Sequence, residues 1–468
     1  MSDLDNTLKP KAKDYLKFII PSAIGAFLFL VPLPTEHAFI IPLGHVINWI
    51  TRLMNMVSFG IYSPETYAGN LGLQYIIGFI AINLGFIGML LVHTKKPKFI
   101  QDRPYVWNAC RSSPIYFVSK ILGFVFAWMV LLNVGPTAVH AAWTGDTMWN
   151  VMGSLAIIFL VLIPALPLLT EFGLMEFFGV FIRKVVRVLF TLPGRSSIDL
   201  VASWFGSSGA SIIISRIQHE KGFYTDREAA SICTCFAIVS VPFTFVVASV
   251  AGLAEHFLTF YLIMAITVIF LAILLPRIWP LKSVPDTYLP DVGKQIDEEV
   301  PADMSKAKFA VQSAVIRSRK ANWNTFADYT IRGYSSIYLE VFPIFFAWGT
   351  LALMISELTP IFTIIAWPFG WILQLLQVEG AFQYAPAMLV GFVDMYLPAL
   401  MIGSAPIETR MILGVLSIIQ VIYLSETGIL ILKSKIPLNI GKLAIIFMMR
   451  TLIGLPIIVL LTRLLFNP

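Results

Sequence analysis

Two carboxylates stand where a charge is hardest to keep. Asp394 lies in the run Met388–Met401, which holds no other charged residue, and Glu426 lies midway along an apolar stretch beside Ser425, Thr427 and Gly428. An ionised carboxylate at the centre of a bilayer costs at least ~2.5 kcal/mol on insertion scales, so acids kept at that depth read as functional. The chemistry open to such a pair is cation holding. One form is Na⁺, completed by hard backbone and hydroxyl oxygens; the other is a proton that neutralises the acid. Arg450, within the last apolar run, is the alternative partner for Glu426, or a side chain that snorkels to the surface. A second set of polar residues is uncharged. Ser207, Ser208 and Ser211 surround Gly206 and Gly209, Ser240 precedes Val241-Pro242, and Gln383 opens a second broken segment. The expected substrate ligands are therefore Ser207, Ser208, Ser211, Ser240, Gln383, Asp394, Ser425, Glu426 and Thr427, with Asp394 and Glu426 also holding the coupling ion. No catalytic group and no cofactor is expected, and no metal other than Na⁺.

Other polar residues have plainer readings. Asp199, close to Arg195, suits a helix N-cap. The serines could equally ease helix packing. Glu340 sits near the cytoplasmic start of a span, Glu171 and Glu176 at the membrane surface, and His140, His219 and His256 in loops or at span ends. Cys110, Cys233 and Cys235 are too few for a disulfide framework. Cys233-Thr-Cys235 has no His neighbour and suggests no metal site.

These residues need a membrane body around them. The 468 residues are 57% hydrophobic and 13% charged, against roughly 25% charged in soluble proteins. Several apolar runs reach the ~20 residues that cross a bilayer. The net charge of +6 comes from short basic clusters between such runs, which argues against nucleic acid as a partner. The fold class is all-α polytopic membrane protein. About nine transmembrane helices are expected, near 16–33, 72–92, 114–134, 150–170, 229–252, 257–279, 335–358, 410–432 and 440–464. Residues 36–66 suit an interfacial or re-entrant helix. Lysine and arginine set the orientation. Lys9 to Lys17 put the N-terminus in the cytoplasm, 135–149 carries no Lys or Arg, and neither does Gly333–Thr409. The C-terminus falls outside.

Two further segments, Ser196–Arg216 and Phe382–Ile402, are apolar but broken, the first at Gly206-Ser207-Ser208-Gly209 and the second around Gly391 and Pro398. Non-helical backbone survives at membrane depth only inside protein or beside a water-filled cavity. Both segments read as re-entrant helical hairpins. Each follows a span and an amphipathic stretch and precedes two more spans. The charge pattern gives the two series opposite orientation, an inverted repeat of the kind secondary transporters use. An offset of 186 residues pairs Leu189 with Leu375, Gly194 with Gly380, Ser231 with Ser417 and Ile232 with Ile418. These identities are no better than chance, so the repeat rests on element order and charge. The same offset aligns a break at Ser240–Pro242 with one at Ser425–Gly428. The expected organisation is N-terminal helices at 1–149, a first repeat at 150–281, a cytoplasmic polar connector at 282–332 (a solvated linker, partly helical from Ala302) and a second, inverted repeat at 333–468.

Pro193-Gly194 before the first hairpin, GFVDMYLPALM at 391–401 and QVIYLSETGILILKSKIP at 420–437 resemble the nucleoside-recognition, or Gate, domain proteins, in particular the YjiH-like membrane proteins. The resemblance covers 150–464. It implies an element order similar to concentrative nucleoside transporters, with two re-entrant hairpins and two interrupted helices around the substrate. The expected function is secondary transport of a small polar solute (a nucleoside, amino acid or small peptide) driven by Na⁺ or H⁺. The partners are the lipid bilayer and the solute, with a homo-oligomer left open, and the location is a bacterial inner membrane. A non-transporting membrane partner or signalling protein is the alternative. An intramembrane enzyme would need paired catalytic groups, and no HExxH, GxSxG or Walker A motif is present.

Overall fold

The structure is a computed structural model that describes residues 11–31, 33–34, 39–56, 58–59, 71–205, 208–290, 293, 304–393, 395–424 and 427–466. Ser207, Asp394, Ser425 and Glu426, all expected site residues, lie outside the described residues. Two-residue strands pair Leu33–Pro34 with Phe39–Ile40 and Ser58–Phe59 with Leu71–Gly72. The remaining regular structure is helical. Seven helices among the described residues are long and apolar enough to cross a membrane: Leu73–Thr94, Pro114–Leu132, Thr137–Thr170, Asp226–Val250, Ala254–Ser283, Trp323–Ile355 and Ile440–Leu465. The chain is a polytopic helical membrane protein. The expected span at 16–33 is α1 (Ala12–Leu30), which carries Lys13, Asp14 and Lys17 near its start and Pro21 inside. The one expected at 410–432 is divided.

Chain contacts separate two compact units. One comprises residues 42–165 and 323–367. It opens with α2 (Pro42–Met56), which has three faces. Leu43 and Ile47 are buried, Val46, Trp49, Leu53 and Met56 are exposed and apolar, and His45, Asn48 and Arg52 are exposed and polar. That is the pattern of a helix lying in a membrane surface. Next come α3 (Leu73–Thr94), α4 (Pro114–Leu132) and the first part of α5 (Thr147–Thr170). α3 buries Gly78, Ala81, Ile82, Gly85 and Met89 while exposing Ile80, Leu84 and Ile87, so its apolar exterior faces what must be lipid. Small residues let membrane helices approach closely. A Cβ at Gly123 would strike the Pro343 carbonyl, and one at Gly85 would lie 2.7 Å from the Pro343 ring.

The other unit comprises residues 1–41, 166–322 and 368–468. Beside α1 it holds the end of α5, the amphipathic α6 (Leu174–Phe190), α7 (Ser196–Phe205), α8 (Ser208–Glu220), α9 (Asp226–Ser231), α10 (Val241–Val250), α11 (Phe257–Leu274) and α12 (Lys306–Lys320). Back in the first unit, α13 (Trp323–Ser336) leads through a π-turn, Ile337–Val341, into α14 (Phe342–Leu358). α15 (Ile361–Leu375) begins there and ends in the second unit. That unit then adds α16 (Ala381–Val390), α17 (Tyr396–Met401), α18 (Ile407–Ile419), α19 (Thr427–Leu432) and α20 (Ile440–Leu465).

The connector departs from the solvated linker expected of it. Ser305 caps α12 by accepting from Lys308 N, and the helix docks on α1 and α6. Ala310, Ala314 and Val315 are fully buried, Arg317 pairs with Glu171 at 2.6 Å, and Arg319 pairs with Asp14 at 3.0 Å. The reason is patterning: small and apolar residues at 310, 314 and 315 form one helical stripe among the lysines and arginines.

Candidate functional site

The second unit contains two helices that break and two short helix pairs that lie against the breaks. In the first, Thr225 builds a capping box, accepting from Glu228 N while its own N–H donates to Glu228 Oε2 at 2.8 Å. α9 passes into a π-turn at Ile232–Phe236, and the chain is non-helical from Ala237 to Ser240. Helix resumes at α10 with Pro242 in its first turn, where a missing N–H costs nothing. The second break follows Gln420. Val421 has φ +62°, a rare state for a β-branched residue and one that persists only when its surroundings enforce it. Those surroundings are specific. Thr427 Oγ1 donates to Val421 O at 2.6 Å and accepts from Tyr423 N at 2.9 Å. The Tyr423 hydroxyl donates to the carbonyls of Ser417 and Ile418 at 3.0 and 2.8 Å.

Each break is wired to a helix pair. α7 and α8 pack against each other, tied by Ser211 Oγ donating to Asp199 O at 2.9 Å, and Ser203 Oγ reaches the first break at Ile238 O, 2.7 Å away. α16 and α17 pack together likewise. Gln420 Nε2 donates to Met388 O at 2.7 Å and to Thr451 Oγ1 at 2.9 Å, while Leu424 N donates to Phe392 O at 2.9 Å. Gly391 makes room for this, because a Cβ there would collide with Gln420 Oε1. The contacts also cross: α8 packs on α19, and α17 packs on α10. Thus each helix pair touches the far half of the other pair's broken helix.

Arg450 joins the two breaks. Its side chain is fully buried in α20; Nε donates to Ile419 O at 2.5 Å and Nη1 to Thr234 O at 3.1 Å. It neither snorkels nor pairs with a carboxylate among the described residues. Among the buried polar atoms with no hydrogen-bond partner among the described residues, Arg450 Nη2, Gln420 Oε1 and Ser240 Oγ lie at or between the breaks.

Of the expected ligands, Ser208, Ser211, Ser240 and Thr427 are buried in this unit, and Gln383 is exposed on α16. Thr427 spends its hydroxyl on the strained turn. Asp199 is not an N-cap. It lies inside α7, buried, accepting from Ser215 Oγ at 2.8 Å and Tyr224 OH at 3.0 Å, because α8 folds back across it. Arg195 instead stacks its guanidinium 3.7 Å from the Phe223 ring centroid. His219, in the last turn of α8, is fully buried, with Nε2 2.7 Å from Asp226 Oδ1. Sequence reasoning passed over Gln420, although an amide inside an apolar run was a signal. It also passed over Lys120 in the other unit. That ammonium is fully buried and donates to Ala109 O at 2.7 Å, with half-buried Glu340 of the π-turn in electrostatic reach. π-turns inside α-helices recur at functional sites.

The Gate family profile, described as nucleoside recognition, matches residues 118–254. The match begins inside 1–149, which the resemblance had left out, and stops before the motifs at 391–401 and 420–437. An uncharacterised protein of Alkalihalophilus pseudofirmus is 39% identical over 458 residues, covering 96% of this chain and 95% of that one. No solved structure matches the chain. The chain belongs to one family with that bacterial protein and carries a Gate, or nucleoside-recognition, domain at 118–254.

Proposed function

We propose that this protein is a secondary transporter of a small polar solute, with α7–α8 and α16–α17 as re-entrant hairpins of an inverted repeat (150–281 and 333–468). One observation carries the reading. Two buried helices are interrupted, each break is hydrogen-bonded to a helix pair, and Arg450, Gln420 and Ser240 at or between the breaks each present a buried polar atom with no hydrogen-bond partner among the described residues. A buried donor or acceptor left unpaired costs about 1–3 kcal/mol, a cost that a ligand pairing with it relieves. A polar solute passing between the breaks would fill them. Scaffolding needs neither the breaks nor the strain at Val421. The Gate family's relation to nucleoside recognition supports the same class of activity. Nucleosides, amino acids and small peptides all match a site of amide, guanidinium and hydroxyl groups. Asp394, between α16 and α17 in sequence, and Glu426, within the second break in sequence, are proposed as coupling-ion ligands, for Na⁺ or H⁺. The proposed orientation, read from the lysine and arginine distribution, has the N-terminus in the cytoplasm of a bacterium and the C-terminus outside.

The test is a thermal-shift screen of purified protein against these three solute classes, in Na⁺ and in choline. A ligand at a hundred times its dissociation constant stabilises the folded state by about 2.7 kcal/mol. A solute that shifts the transition is then followed by uptake into proteoliposomes. Asp394→Asn and Glu426→Gln should bind solute yet lose ion-driven accumulation. Unchanged coupled uptake in both variants would end the coupling assignment, and silence across all three classes would count against transport of such solutes.

A further inference from the structure

Two half-helices end on one guanidinium. Ile419 is the last residue of α18, and Thr234 lies in the π-turn that closes the first half of the other broken helix. Both ends are C-terminal ends. The carbonyls in a last helical turn have no N–H beyond them, and the end as a whole behaves as about half a negative elementary charge. Two such ends within reach of one side chain amount to about one negative charge, presented through backbone oxygens in a fully buried place. That describes an oxygen cage for a monovalent cation. The cation found there is covalently part of the chain, since Arg450 is buried and bonded to one carbonyl from each end. Its fork carries five N–H donors, more than the two carbonyls accept, and Nη2 has no hydrogen-bond partner among the described residues.

We propose that the facing C-terminal ends of α18 and of the α9 π-turn segment form a monovalent-cation site that the chain fills with its own Arg450. The charge of the side chain, rather than its bulk, then holds the two broken helices to each other, and no free Na⁺ binds between those ends. A coupling cation is left to Asp394 and Glu426. The assignment stands independently of whether a solute is transported, so its failure and that of the transport reading are separate outcomes.

The experiment removes the tether and keeps the cage. The melting temperature of purified Arg450→Ala is measured in choline chloride, then with added ethylguanidinium or Na⁺. The expected result is a loss in choline and a saturable recovery of several degrees with ethylguanidinium. Wild type and Arg463→Ala, which alters a surface ion pair on the same helix, should not respond to ethylguanidinium. If Arg450→Ala does not fold, Arg450→Lys and Arg450→Gln decide. Lysine keeps the charge and should melt well above glutamine, which keeps only hydrogen bonding. Equal melting of Lys and Gln variants, wild-type stability in Arg450→Met, or an Arg450→Ala protein indifferent to every cation would each overturn the proposal.

Discussion

Gly391→Ala offers a test in which two physical effects oppose each other. Gly391 has φ −54° and ψ −24°, ordinary right-handed helical backbone. On backbone grounds alone alanine should stabilise there by about 0.5–1 kcal/mol. The new methyl, however, would collide with Gln420 Oε1, and the Gln420 amide carbon lies only 3.1 Å away. The amide must turn, and turning breaks the Nε2 bonds to Met388 O and Thr451 Oγ1. Two net hydrogen bonds at about 1 kcal/mol each, plus about 1–3 kcal/mol for a buried group left unpaired, outweigh the backbone gain. The expected net loss is about 2–4 kcal/mol. Reversible unfolding of the purified protein in mixed micelles measures it. The same substitution in a Gln420→Ala background has nothing to strike, so there it should be neutral or mildly stabilising. The double-mutant cycle should return a coupling close to the full loss. Equal cost in both backgrounds, or no cost in either, would show that Gln420 does not link the second break to its helix pair as described.

Other consequences are open to simpler measurement. Asp199→Ala should destabilise by about 2–3 kcal/mol, because the Ser215 and Tyr224 hydroxyls lose their buried acceptor; a change within error in unfolding free energy would contradict that lock. Burial holds the Glu176 carboxyl above the usual carboxylate range, against the pull of Arg317. The folded state therefore keeps a proton the unfolded chain has released, and stability falls as pH rises above the ordinary value of 4.5. Glu176→Gln should flatten that slope in melting temperature against pH, and an unaltered slope would assign it to other groups. Cysteines replacing Trp143 and Lys308 should label from opposite sides of the membrane, Trp143→Cys from outside and Lys308→Cys only after permeabilisation. Cys110, Cys233 and Cys235 are buried and give little background; the reverse pattern would invert the topology.

The sequence by itself determined those features whose causes are local. Hydropathy over twenty-residue windows marks the spans, because crossing a bilayer is a matter of length and apolar content. Pro242 and Gly428 mark the two interruptions, because proline cannot continue a helix from the residues before it and glycine weakens a helix interior. The apolar stripe of α12 was equally legible at 310, 314 and 315, although its surrounding charges read as a solvated linker. What only the tertiary structure decided are the partners across the breaks. Thr234 and Arg450 lie 216 residues apart, and no spacing rule brings a guanidinium to a π-turn carbonyl at that separation. Asp199 reads as a cap in sequence because a cap is a local motif. The fold makes it an internal acceptor, because the chain folding back after α7 carries Ser215 and Tyr224 to it. Val421 shows the same limit: nothing local to a valine asks for a left-handed backbone, and only the Thr427 and Tyr423 hydrogen bonds around it hold one there.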